Sequence, residues 1–114
     1  MDKQTLKQRC CEAIDQNRDA VFALADDIYR HPEMGFREFR STDKMKEAFQ
    51  GLGLQVEDGI AYTGCSAKAG SDNGPTVAIM GELDCLNCPD HPDSTEDGNV
   101  HSCGHHAQLA NLYA

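Results

Sequence analysis

Residues 69–114 contain no lysine and no arginine; all ten basic side chains lie in residues 1–68, beside 12 of the 19 acids. A net charge of −9 repels phosphate and excludes nucleic acid as a partner. No stretch approaches the roughly 20 apolar residues of a membrane span, so a membrane partner is excluded as well. Met1-Asp2-Lys3-Gln4 leads into a mixed-charge helix and not into an apolar signal segment, and a cytoplasmic protein is expected. There is no internal repeat and no low-complexity tract. What is present is ordinary for a soluble globular chain: 114 residues, enough for one small domain, with 39% hydrophobic and 25% charged content.

The acidic half also holds four of the five histidines. That pairing favours cations, although charge bias alone equally suits a solvated loop. Six cysteines permit disulfides, but without a secretory segment the expected uses are core packing, metal ligation or redox chemistry. Cys10 and Cys11 fall on a predicted helix and are expected to act as small hydrophobes.

Apolar positions Leu6, Cys10, Ile14, Val21, Leu24, Ala25 and Ile28 recur at helical spacing, which predicts one long helix over 3–30. Pro32 ends it, because the residue before proline is pushed out of the helical region. A second helix is predicted from Ser41 or Thr42, with Met45, Ala48, Phe49 and Leu52 as its apolar face and Gly51 and Gly53 as its stop. Short strands follow over 54–57 and 60–69, with Asp58-Gly59 as a turn. Thr76–Met80 is the most apolar run and predicts a central strand covered on both faces. Glu82 and Asp84 stand at its carboxyl end, where open α/β sheets bind ligands; their spacing of two turns both to the same side. Residues 85–102 form a long polar loop of the kind that is functional or disordered. The closing helix runs to Ala114 without a capping residue, so the sequence is expected to stop in mid-helix. The predicted class is α/β, with helices packed on a mixed sheet.

His101-Ser102-Cys103-Gly104-His105-His106 carries the chemistry. Thiolate and imidazole are the preferred ligands of zinc and similar ions. Gly104 gives the turn backbone freedom, and a following helix N-terminus favours the thiolate. By spacing alone, a chance cluster of histidines in a polar loop stays open. His31, in an early turn, is expected to bond backbone groups, and His91 is expected to be solvated.

Taken together, Arg30-His31-Pro32-Glu33-Met34-Gly35-Phe36, Thr63-Gly64, Gly81-Glu82-Leu83-Asp84 and His101-Ser102-Cys103-Gly104-His105 are similar, in this order, to segments of the amidohydrolase branch of the M20 metallopeptidases. That branch includes aminoacylases, auxin-conjugate hydrolases and aminobenzoyl-glutamate hydrolases. The resemblance implies that residues 1–114 are the N-terminal part of a zinc-peptidase-like catalytic domain, with the rest of that domain and the dimerisation domain absent. It implies two divalent metals per site in the intact family (zinc, manganese or cobalt), with Cys103 and His105 as two of the ligands. Asp84 matches the acidic residue that orients a ligand from behind. The implied reaction is hydrolysis of an amide in an N-acyl amino acid or small peptide, the metal polarising the carbonyl and activating water, in a homo-oligomeric parent. The isolated chain is expected to be inactive.

Two departures stand out. His106 replaces the acid that often follows Cys-Gly-His, and Asp84-Cys85-Leu86-Asn87-Cys88 replaces Asp-Ala-Leu-Pro. The family's catalytic glutamate and remaining ligands have no match. A different class of function is therefore an alternative: a structural zinc or redox module built on Cys85, Cys88, Cys103 and His105, whose spacing is ribbon-like.

Overall fold

The computed structural model describes all 114 residues. Its elements run in the order α1 (Lys3–Gln16), α2 (Arg18–Arg30), α3 (Phe39–Gly51), β1 (Val56–Ile60), β2 (Gly64–Ala67), β3 (Leu86–Asn87), β4 (Asn99–Val100) and α4 (His105–Tyr113). The class is α/β. No helix is long and apolar enough to cross a membrane.

The predicted helix over 3–30 is two helices, broken at Asn17 (φ −94°, ψ 6°). Asp2 caps α1 by accepting from the Gln4 and Thr5 amides, both at 2.9 Å. No α1 residue is buried, so Leu6, Cys10 and Ile14 form an apolar stripe without a partner. That projection accounts for a 51 Å long axis and a radius of gyration of 15.7 Å, against about 13 Å for a compact chain of this length. On α2 the expected stripe is buried: Val21, Leu24 and Ile28, at the spacing that aligns one helix face. Leu24 and Ile28 meet Met45 of α3 and Leu109 of α4 in the core, with Leu83, Phe49, Leu112 and Tyr113 around them.

The β elements differ from the expected single mixed sheet. They are two antiparallel pairs, β1–β2 and β3–β4. Asp58-Gly59, expected as a turn, is a bulge within β1: Gly59 takes φ 74° and the register slips between Asp58 and Ile60. The turn falls at Ala61 (φ 47°) and Tyr62 (φ 82°) instead. Lys46 of α3 holds Asp58 at 2.6 Å.

Thr76–Met80 is not a central strand. It joins no ladder, and Val77, Ile79 and Met80 are 85%, 76% and 84% exposed. A strand is stabilised by neighbours along its edges and side chains across its faces, and neither two-stranded sheet includes this run. Only its end docks, where a Cβ on Gly81 would stand 2.9 Å from Leu109 Cδ2.

Candidate metal centre

The site is assembled by three connections. The first is a turn, residues 31–38, between α2 and α3. Glu33 accepts from the Arg40 amide (3.0 Å), the Ser41 amide (2.7 Å) and the Ser41 hydroxyl (2.7 Å), covering the otherwise unpaired amides of the first turn of α3. The Glu33 carbonyl accepts from the Cys85 amide at 2.8 Å, which pins the peptide after Asp84. Arg40 forks onto both Asp27 oxygens at 2.7 and 2.9 Å, tying α3 to α2.

The second connection is the loop between Cys85 and His101. The ladder pairs Leu86↔Val100 and Asn87↔Asn99, extended by the Cys88 amide donating to the Gly98 carbonyl (2.8 Å), draw its two ends together. Gly98 sits at φ 80°, and a Cβ there would stand 3.0 Å from Pro89 Cγ, so both backbone angle and space require glycine.

The third is the turn into α4. Gly104, at φ 92°, is its N-cap residue; Cys103 before it is exposed, and His105 opens the helix. His105 Nδ1 lies 2.9 Å from the Asp84 carbonyl oxygen and 3.2 Å from Asp84 Oδ1, and its Nε2 lies 3.1 Å from Glu82 Oε2. Both expected acids therefore face one imidazole. Gln108, one turn further along α4, accepts from the Glu82 amide at 2.8 Å. Neither Gln108 nor the Glu33 cap was singled out from the sequence. The signal for Gln108 was its place three residues after His105, on the same helix face.

His101 is 1% exposed, and neither of its ring nitrogens has a hydrogen-bond partner. Burial lowers its pKa to about 4, with His106 and His105 adding to the effect. His106, the residue that departs from the family pattern, packs at a tilt against the rings of Tyr29 (4.7 Å, 56°) and His101 (5.7 Å, 48°), and its Nδ1 is likewise unpaired. Burial lowers the His106 pKa as well. His31 bonds backbone as expected, with Nδ1 2.7 Å from the Asp27 carbonyl oxygen. His91, expected to be solvated, is half-buried and accepts from the Asp93 amide at 3.1 Å.

The donor chemistry fits a borderline divalent cation in part. A neutral imidazole has one N–H. If Asp84 receives it, the contact between Nε2 and Glu82 Oε2 sets two lone pairs face to face and requires a shared proton or cation. Cys103 adds a thiol in the adjoining turn. Yet no group of three or more His, Cys, Asp or Glu side chains has the geometry to hold a metal ion. The same holds for the zinc-module set: Cys85 is buried, Cys88 half-buried and Cys103 exposed, and with His105 they do not form such a group. Burial pushes the Cys85 thiol up, away from the thiolate form. Two open surface grooves lie along the β1–β2 hairpin, and neither includes Asp84, Cys103 or His105.

Known proteins share this sequence pattern. Thermostable carboxypeptidase 1 of Saccharolobus solfataricus is 30% identical over 100 residues, 82% of this chain and 25% of the relative. A p-aminobenzoyl-glutamate hydrolase of Escherichia coli is 30% identical over 102 residues, 82% of this chain and 21% of the relative. The putative amidohydrolase YhaA of Bacillus subtilis is 27% identical over 119 residues, covering all of this chain and 30% of the relative. The chain belongs to the M20-type amidohydrolases. It spans between about a fifth and a third of the length of these curated relatives. No family model and no solved structure matches it. Within the M20 pattern, the segment around Glu33, Thr63 and the segment ending at Asp84 each have a physical role here. Glu33 caps α3. Thr63 donates to Glu38 at 2.7 Å while its carbonyl accepts from Thr42 at 2.6 Å, and Asp84 seats His105.

Proposed function

We propose that the parent protein hydrolyses the amide bond of an N-acyl amino acid or small peptide with the help of zinc, manganese or cobalt. This chain contributes Cys103 and His105 as ligands and Asp84 as the residue that orients His105. The activities named for the relatives, a carboxypeptidase and a p-aminobenzoyl-glutamate hydrolase, support that substrate class.

The observation that carries the reading is the seating of His105. Asp84 meets Nδ1 with both its carbonyl and its carboxylate. An acid behind a histidine fixes the tautomer and raises the basicity of the outer nitrogen, which leaves Nε2 as the donor. A bound divalent ion would supply Lewis acidity toward the scissile carbonyl. The residues of this chain hold the imidazole at a fixed angle, present the thiol of Cys103 in the adjoining turn and set the Glu82 carboxylate beside Nε2. Amide hydrolysis also needs a positioned proton acceptor. No residue here matches the family's glutamate, so the chain alone is expected to turn over N-acyl amino acids poorly with any added metal. A turnover on the order of 10 per second would refute that. A cytoplasmic setting and a homo-oligomeric parent complete the proposal.

Titration with cobalt(II) tests the ligand assignment. The chain should develop a thiolate-to-cobalt charge-transfer band that Cys103→Ser abolishes and the double variant Cys85→Ser, Cys88→Ser leaves intact. Loss of the band in the double variant would favour the structural zinc module instead.

A further inference from the structure

We infer that Glu33 is a positioning residue for His105, acting through Asp84. This rests on the metal reading above and extends it to a residue outside the cluster. Three hydrogen bonds fix the Glu33 carboxylate on the start of α3, from the Arg40 amide, the Ser41 amide and the Ser41 hydroxyl at 3.0, 2.7 and 2.7 Å. That anchorage restricts the main chain of Glu33, whose carbonyl accepts the Cys85 amide at 2.8 Å. The nitrogen of Cys85 and the carbonyl of Asp84 belong to one planar peptide. That same Asp84 carbonyl meets His105 Nδ1 at 2.9 Å. A peptide cannot rotate at one end without rotating at the other, so the orientation of the acceptor facing His105 follows from the bond that Glu33 makes behind it.

The side chain and the main chain of Glu33 thus have separate duties. The carboxylate anchors the turn to a helix end, and the carbonyl transmits that anchorage to the peptide that sets the His105 tautomer. Gly35 belongs to the same arrangement: a Cβ there would stand 4.0 Å from both the Asp84 Cβ and Glu38 Oε1, so the turn passes directly against the acid it positions. Arg40 and Asp27 supply the control. Their ion pair joins α2 to α3 close by, yet it makes no bond to the Asp84–Cys85 peptide. Loss of that pair loosens the helices without releasing the peptide.

The experiment compares Glu33→Ala, Glu33→Gln and Asp27→Ala in the 114-residue chain, with cobalt(II) as the probe and nitrogen NMR of the metal-free His105 ring as a second readout. Outer partners of metal-binding histidines typically change affinity by about 10- to 100-fold. Glu33→Ala is expected to weaken cobalt binding about tenfold and to remove the preference of His105 for the Nδ1–H form. Glu33→Gln retains one oxygen, able to accept from the Ser41 amide and hydroxyl but not also from the Arg40 amide, and should recover part of both. Asp27→Ala should alter neither. Equal cobalt affinity and an unchanged ring in Glu33→Ala would overturn the inference, and so would an equal loss in Asp27→Ala, which marks general loosening. If the wild-type chain shows no thiolate–cobalt band, the metal reading fails separately. The ring measurement then decides the role of Glu33 alone, since an Nδ1–H preference lost in Glu33→Ala but kept in Asp27→Ala supports it and any other pattern refutes it.

Discussion

Ile28 and Ile79 are the same side chain in opposite surroundings. Ile28 is completely buried among Leu24, Met45 and Leu109, whereas Ile79 is 76% exposed in a run that joins no ladder. Intrinsic hydrophobicity does not separate them. Ile28 lies on a helix whose backbone bonds are internal, so α2 needs only one apolar face from its neighbours. Ile79 lies in a segment without regular secondary structure, which only flanking strands could have covered, and no sheet includes it. A helix can complete its packing from nearby sequence; a central strand draws on partners distant in sequence.

The sharpest way to break this comparison is to truncate each isoleucine. Ile28→Ala should destabilise the chain by about 2–5 kcal/mol, as for other buried large-to-small changes. Ile79→Ala should stay within about 0.5 kcal/mol, as at exposed sites. Urea unfolding followed by circular dichroism measures both, and equal losses would show that residues 76–80 are packed in solution.

A second effect should appear only in the packed half. An unfolded histidine takes its proton near 6.5, but buried His101 does so only near pH 4. Between these values the unfolded chain binds more protons, so stability falls as the pH drops from about 6.5 toward 4 and is indifferent to His101 above that. The loss is on the order of 3 kcal/mol. Unfolding midpoints across that range should show the slope in the wild type and much less of it in His101→Leu.

The smallest effect tests the seam between the two regions. Gly81 ends the exposed run against Leu109, and a Cβ there would approach Leu109 Cδ2 to 2.9 Å and Leu112 Cδ2 to 3.5 Å. The contact is with methyl ends that can shift, so Gly81→Ala should cost about 1 kcal/mol. No change in the thermal midpoint would mean that this seam is open in solution.

The same contrast explains what could be read from the sequence. The Val21, Leu24 and Ile28 stripe follows from helical period alone, and the structure buries all three. The sequence marked Asp84 as the acid that orients a ligand and His105 as a ligand without pairing them; the two residues are in contact, although the strand expected to end at Asp84 does not form. The ligand roles of Cys103 and His105 remain for the cobalt experiment. The break at Asn17 was not legible, because no proline or glycine marks it and the apolar spacing continues across it. Nor was the exposure of Thr76–Met80, since composition reports what a segment would bury and not whether a partner is there. The burial of His101 arises from the surroundings that α2, the loop and α4 create together, which no local window contains. The Glu33 cap was hidden for a related reason: its donors belong to a helix beginning six residues later, outside the usual reach of a capping residue.

The narrow neck made by β3 and β4 bears on the order in which the site forms. Asp84 and His105 are 21 positions apart, and the entropy lost on joining two points grows with the logarithm of the intervening chain. Once Leu86 pairs with Val100 and Asn87 with Asn99, the intervening loop is already closed and only a few free residues separate the two partners. The hairpin acts as a clasp that can fasten on the microsecond scale of such elements. The acid and its histidine can therefore meet early, in a nearly local encounter, while the helices are still finding one another.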